Sequence, residues 1–132
     1  MTSAYKIMKD KVYFEIEEEL NQIFLEMGLG GNGYVKGTAW LKELIMIGVR
    51  NPEDLKKDWL EIIGRKNGVT RELVRFSMHK AAADYWKPTT KVIMEKHFGV
   101  PLEYKFLYAK PDQIEFVTLL YAKLREKYKL SN

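Results

Sequence analysis

The side chains with the clearest potential chemistry lie between Lys66 and Lys87, on either side of a short turn. If Val74 faces the core of a helix that turns about 100° per residue, Glu72 and Phe76 point away from the core. In the major groove of DNA, arginine grips guanine, glutamate accepts from cytosine and a phenyl ring contacts the thymine methyl. The residues predicted to read bases are Arg71, Glu72, Arg75, Phe76 and His79, and those predicted to contact phosphates are Lys66, Thr70, Lys80 and Lys87. The alternative for Phe76 is packing against a neighbouring helix.

A tight turn between two helices must position these side chains. Gly64 lies near the end of the first helix, where two crossing helices come closest, and Gly68 supplies the left-handed backbone that closes a helix. The Val69 side chain is expected to pack between the two helices, and the Thr70 hydroxyl to cap the second helix. The pattern predicts a helix-turn-helix, which places its second helix in the major groove. The alternative is an ordinary helical corner.

The distribution of charge is more informative than the formal net charge of +4. Residues 1–60 carry 8 Lys/Arg and 10 Asp/Glu, whereas residues 61–110 carry 10 Lys/Arg and 5 Asp/Glu. The excess of positive charge therefore begins at the predicted turn. It suits contact with phosphates, the largely sequence-independent source of DNA affinity. The alternative is a basic surface that is merely solvated.

Hydrophobic periodicity predicts an all-α domain of about six helices around the central helix-turn-helix. The helices are expected at about residues 12–27, 35–49, 51–66, 71–86, 89–98 and 112–128. Asn51 caps the third helix and Pro52 opens its first turn. Residues 1–10 are expected to form a flexible leader, and residues 11–132 the helical DNA-binding domain. Between residues 102 and 108 the apolar residues alternate, which predicts either a short strand or wing, or an extended packed loop.

Three patterns that could indicate an enzyme, a cofactor or a metal site are weak. The glycines from Gly28 to Gly33 match the letters of a dinucleotide fingerprint but follow a predicted helix instead of a strand, so a flexible loop is favoured. His79 and His97 have no cysteine partner for a zinc site. The acidic run from Glu15 to Glu19 is expected to be a solvated helix face. We therefore predict no catalytic residue, no cofactor and no metal.

The bulk composition fits one soluble domain of 132 residues, with 46% hydrophobic and 30% charged residues. No apolar run approaches the roughly 20 residues of a membrane span. The chain contains no cysteine and begins without the apolar centre of a secretory signal, so a reducing cytoplasm is expected.

Three blocks of sequence, in order, resemble the C-terminal DNA-binding domain of the stage 0 sporulation protein A family of response regulators. The first block comprises Glu26-Met27-Gly28, Val35-Lys36-Gly37, Trp40-Leu41-Lys42-Glu43 and Ile45. The second runs from Lys66 through Val74 to Ala81 and Trp86. The third comprises Phe98-Gly99, Ala109-Lys110-Pro111, Glu115-Phe116 and Lys123-Leu124-Arg125. The likeness covers about residues 16–129.

The resemblance implies a six-helix domain that binds double-stranded promoter DNA as a homodimer or as tandem copies and contacts RNA polymerase in the bacterial nucleoid. This sequence departs from the family's pattern in two respects. The family's domain follows a phosphorylatable receiver, for which this sequence has no room. In the reading helix Arg75 stands where the family has glutamate, and Phe76 and His79 stand where it has arginines, so the operator sequence does not carry over.

The sequence therefore predicts a sequence-specific DNA-binding transcriptional regulator of helix-turn-helix type, related to sporulation control. The alternative is a helical protein-interaction module that has lost DNA binding and modulates a regulator. The acidic first helix and the altered reading helix leave room for this alternative.

Overall fold

The computed structural model describes residues 4–29, 35–84, 86–99 and 112–130 of the chain. These residues form six α-helices and no strand, so the prediction of an all-α fold is confirmed. The helices are α1 (Ala4–Met27), α2 (Val35–Arg50), α3 (Trp59–Asn67), α4 (Arg71–Asp84), α5 (Pro88–Phe98) and α6 (Gln113–Lys127), with a short 3₁₀ helix at Pro52–Lys56 before α3. The apolar alternation at residues 102–108 and the glycines of residues 30–33 lie outside the described residues, as does Tyr85.

The start of the first helix was predicted wrongly. α1 begins at Ala4 instead of Val12, so residues 4–10, expected as a leader, continue the helix. The predicted start followed the apolar periodicity, which begins where Val12 and Tyr13 first pack against the core. The described side chains between residues 4 and 11 are exposed and do not continue the core-facing stripe of α1, so the apolar periodicity gives no sign of the helix there.

The third predicted helix is divided into two pieces. Asn51 caps the first piece as expected, since its side chain accepts a hydrogen bond from the backbone N–H of Glu53 at 3.1 Å. The backbone then turns extended at Lys57 (φ −72°, ψ 158°), which ends the 3₁₀ helix. Asp58 starts α3 anew by accepting from the N–H of Glu61 at 3.3 Å. The second capping side chain explains the break, because an Asp that caps must itself leave the helical conformation.

Helix α2 lies at the centre of the fold and packs against α4 and α6. Two glycines permit these close contacts. A Cβ built on Gly37 would lie 2.4 Å from the carbonyl oxygen of Ser77 on α4, and one on Gly48 would lie 2.7 Å from the ring of Tyr121 on α6. Side chains from all six described helices form the core, including Ile16, Leu20, Leu41, Ile45, Ile63, Met78, Met94, Phe116 and Leu120.

Candidate nucleic-acid interface

Helices α3 and α4 are joined by the three-residue turn Gly68-Val69-Thr70, whose parts behave as the sequence predicts. Gly68 adopts the left-handed conformation (φ 67°) and Val69 N–H donates to the Gly64 carbonyl at 2.9 Å, which closes α3. The Thr70 hydroxyl accepts from the N–H of Leu73 at 3.1 Å and so caps α4. The predicted capping role of Thr70 and the predicted backbone role of Gly68 are confirmed.

The predicted close approach at Gly64 is also present. A Cβ on this residue would lie 2.8 Å from the carbonyl oxygen of Val69, below the contact distance that real side chains adopt. Val69 is half-buried and packs against the core, which fixes the angle at which α4 leaves the turn. α3 therefore braces the first turn of α4 through backbone contacts.

One face of α4 packs against the core, and the opposite face is exposed to solvent. Val74, Met78, Ala81 and Ala82 are buried. Glu72 and Arg75 are exposed, and so is Phe76, whose side chain is 61% exposed. The Phe76 ring, at the centre of the outward face, is therefore not buried against a neighbouring helix in the part of the chain that the structure describes.

Arg71, predicted to read bases, is engaged within the protein. Its Nε lies 3.3 Å from Oδ2 of Asp58, the residue that caps α3. One carboxylate therefore holds the start of α3 and the start of α4 together. The side chain remains 45% exposed, so the pair lies at the surface.

His79, also predicted to read bases, is held at the start of α6. Its Nδ1 lies 3.2 Å from Oε1 of Gln113, and when Nδ1 carries the proton it donates to that amide oxygen. Gln113 is buried in the first turn of α6. This contact brings His79 to the junction of α4 and α6, at one edge of the outward face.

The residues predicted to contact phosphates are spread along the α3–α4 unit and the chain that follows it. Lys66 is 69% exposed and lies 3.6 Å from Glu43 of α2. The Thr70 hydroxyl is used by the cap. Lys80 is exposed on α4 and Lys87 is exposed just before α5. Along the chain they therefore lie before, within and after α4.

Two exposed residues of this surface were not among the predicted site residues. Leu73 is 46% exposed and lies one helical turn before Phe76, so the two side chains can form one apolar patch. Arg65 is 81% exposed in the last turn of α3, where it pairs with Glu61 at 3.0 Å. The exposure of Leu73 could have been inferred from its position on the helix, which is rotated by about 100° from that of the buried Val74.

A second cluster of charged residues joins α1, α5 and α6 and corrects the expectation that the acidic run of α1 is wholly solvated. His97 lies between two carboxylates, with Nδ1 2.9 Å from Glu19 and Nε2 2.7 Å from Glu26. The ring can donate to both only as an imidazolium. Lys127 binds Glu19 and Lys96 binds Glu26 at 2.7 Å.

This cluster alters the titration of its carboxyl groups. Hydrogen bonds from Lys96 and then His97 lower the pKa of Glu26 from 4.5 to about 2. Burial opposes ionisation of Glu19, but hydrogen bonds from Lys127, Tyr128 and His97 outweigh it and lower the pKa of that carboxyl group. Burial and the carboxylate of Glu19 raise the pKa of Tyr128. The two glutamates are therefore anions that tie three helices together.

A scan against protein-family models finds no match, and searches among curated proteins and among solved structures find none either. The resemblance to the sporulation regulator family therefore stays a prediction. Among the described residues, no helix is long and apolar enough to cross a membrane. In the same part of the chain, no group of three or more His, Asp or Glu side chains could hold a metal ion.

Proposed function

We propose that this protein is a sequence-specific, double-stranded DNA-binding transcriptional regulator in which α4 reads the major groove and α3 braces it. The observation that carries the proposal is the outward face of α4, where Glu72, Arg75 and Phe76 are exposed together on a helix fixed by the turn at Gly68. A helix in the major groove needs such an exposed face, rigidly held by a second helix.

The exposed side chains supply three kinds of base contact. Arg75 can donate two hydrogen bonds to guanine, and Glu72 can accept from the amino group of cytosine. Phe76 can cover a thymine methyl, which would remove an exposed ring from water. His79 reaches DNA through Nε2 while Nδ1 holds Gln113.

Phosphate contacts come from the edges of the same surface. Lys66, Lys80 and Lys87 are exposed cations around α4. Thr70 contributes through the backbone of the turn, because its hydroxyl already caps the helix. Arg71, predicted to read bases, reaches DNA by exchanging Asp58 either for a base edge or for a phosphate, and in the second case one anion replaces another at an exposed site.

The wider biological role follows from the sequence resemblance alone. It consists of control of sporulation genes in the bacterial nucleoid, binding as a homodimer or as tandem copies, and contact with RNA polymerase. Each of these is a separate hypothesis, because the outward face of α4 supports DNA reading without supporting any of them.

Selection of bound sites from random double-stranded DNA tests the proposal. The purified protein should enrich one motif, and fluorescence anisotropy should then give tighter binding to that motif than to its shuffled version. Arg75→Ala is the test variant, and Arg50→Ala, which removes an exposed arginine at the end of α2 and outside the candidate interface, is the matched control. Failure to enrich any motif would contradict sequence-specific binding.

The rival function, a protein-interaction module, is favoured by one observation. Leu73 and Phe76 together expose apolar surface at the centre of α4, which a protein partner could bury. Absence of DNA binding at low salt would favour this rival. Retention of DNA binding by a Leu73→Ser variant, with loss of binding by Arg75→Ala, would argue against it.

A further inference from the structure

The outer face of α1 carries an apolar stripe that the protein's own core does not cover. Ile7, Phe14 and Leu25 are 59%, 65% and 67% exposed. Spacings of seven and eleven residues place all three on the same side of a helix. The fully buried residues of α1, which begin at Ile16, lie on the other side of the helix.

The charges along this face change sign from one end to the other. The first turns carry Lys6, Lys9 and Lys11 with one acid, Asp10, whereas the acidic run begins at Glu15. Glu19 is bound within the cluster around His97, and Glu17 lies 3.9 Å from Lys42 of α2. Glu15 and Glu18 remain exposed outside that cluster.

We propose that α1 pairs in antiparallel fashion with α1 of a second copy of this chain. With the twofold axis between residues 14 and 15, Phe14 lies beside its own copy at the centre. Lys11 of each copy then lies opposite Glu18 of the other, so that two ion pairs flank the central rings. A parallel pair would instead place the glutamates of the two copies side by side, and charge complementarity therefore selects the antiparallel arrangement.

The pair is a weak dimer, because one exposed face of a single helix buries less than the roughly 1,200 Å² of a standard interface. The proposal is independent of DNA binding, since α1 and the outward face of α4 are different surfaces. An experiment can therefore contradict the proposed dimer without contradicting the proposed DNA binding, and the reverse.

Sedimentation equilibrium over a wide concentration range tests for the dimer. The chain should associate reversibly, and Phe14→Ser should raise the dissociation constant by about tenfold or more, as loss of a central interface aromatic does. Val92→Ser is the control, because Val92 is 64% exposed on α5 and lies outside the proposed interface. A chain that stays monomeric at millimolar concentration overturns the proposal.

A charge swap tests the orientation. Glu18→Lys places lysine opposite Lys11 and should weaken the dimer by about three- to tenfold, as should Lys11→Glu. The double variant Lys11→Glu with Glu18→Lys should recover the original affinity. Failure of the double variant to recover it contradicts the antiparallel register.

Engineered cysteines add a second measure of orientation, because the chain has no cysteine of its own. A mixture of Lys11→Cys and Glu18→Cys should form the mixed disulfide under oxidation, since opposed residues come within the roughly 7 Å between Cα atoms that a disulfide spans. Glu18→Cys alone should not cross-link, whereas in a parallel pair it would. Binding of a monomeric protein to anionic lipid vesicles, lost in Phe14→Ser, would assign this face to a membrane surface and overturn the proposal.

Discussion

Phe76 lies at the centre of the outward face of α4, where its ring is 61% exposed. We expect Phe76→Ala to change the free energy of unfolding by no more than about 0.5 kcal/mol, because surface substitutions remove little packing. In contrast, Met78→Ala on the buried face should cost about 2–5 kcal/mol. Thermal and urea unfolding measure both values. A large loss for Phe76→Ala would make the ring structural.

The same variant should lose a specific feature of DNA recognition. If Phe76 covers a thymine methyl, Phe76→Ala should bind operators containing thymine and uracil at that position almost equally, because uracil lacks the methyl group.

Arg75 and Lys80 are both exposed on α4 but have different predicted roles. Arg75→Ala should reduce discrimination between the selected site and altered sites by roughly 1–3 kcal/mol, the value of a lost bidentate base contact. Lys80→Ala should weaken binding to every DNA alike, because a phosphate contact carries no sequence information. Competition titrations with cognate and random DNA distinguish the two. Equal losses on both DNAs in both variants would contradict these roles.

At the scale of helices, Gly37 permits the close packing of α2 on α4. Replacing glycine by alanine in a helix usually stabilises it by up to about 1 kcal/mol. Gly37→Ala should have the opposite sign and destabilise the protein by about 1–3 kcal/mol, because its Cβ would lie 2.4 Å from the Ser77 carbonyl oxygen. Urea unfolding measures the change. Lys36→Ala, at the exposed neighbouring position, is the control and should change stability little.

The cluster around His97 should make stability depend on pH. The pKa of Glu26 falls from 4.5 to about 2 on folding, so its contribution is complete above pH 4.5 and is lost as the pH falls towards 2. Glu26→Gln should therefore cost about 1–3 kcal/mol near neutral pH, the value of charged hydrogen bonds.

The cost of Glu26→Gln should shrink through that acidic range, where the wild-type carboxylate is itself protonated. Urea unfolding of the wild type and the variant between pH 6 and pH 2.5 measures this difference. Glu15→Gln, an exposed carboxylate of the same helix, is the control. A cost independent of pH would show that the Glu26 side chain acts through packing.

At the scale of the whole molecule, the excess of positive charge lies in the part of the sequence that contains the proposed reading helix. Residues 61–110 carry 10 Lys/Arg and 5 Asp/Glu, while residues 1–60 carry 8 and 10. If about four phosphates are neutralised, the logarithm of the DNA affinity should fall with the logarithm of salt concentration at a slope of about −3 to −5. Anisotropy titrations at several salt concentrations measure it. A slope near zero would contradict electrostatic contact with DNA.

Local sequence signals determined the helices, their caps and the buried faces. Asn51, Gly68 and Thr70 act through hydrogen bonds or backbone conformations that involve only neighbouring residues, so their roles can be predicted from the sequence. The periodicity of apolar residues determined that Val74 faces inward and Phe76 outward, because helical geometry relates residues a few positions apart. Where this signal is absent, at the exposed start of α1, the prediction failed.

Only the tertiary structure decided which polar side chains meet across the fold. Arg71 binds Asp58, 13 residues earlier, and His79 meets Gln113, 34 residues later, so two predicted base-reading residues have partners within the protein. Glu19, predicted as solvated, binds His97 at a separation of 78 residues. Such pairs depend on how the helices pack, and packing is set by the whole core and by close contacts such as Gly37 on α4. No local spacing in the sequence encodes them.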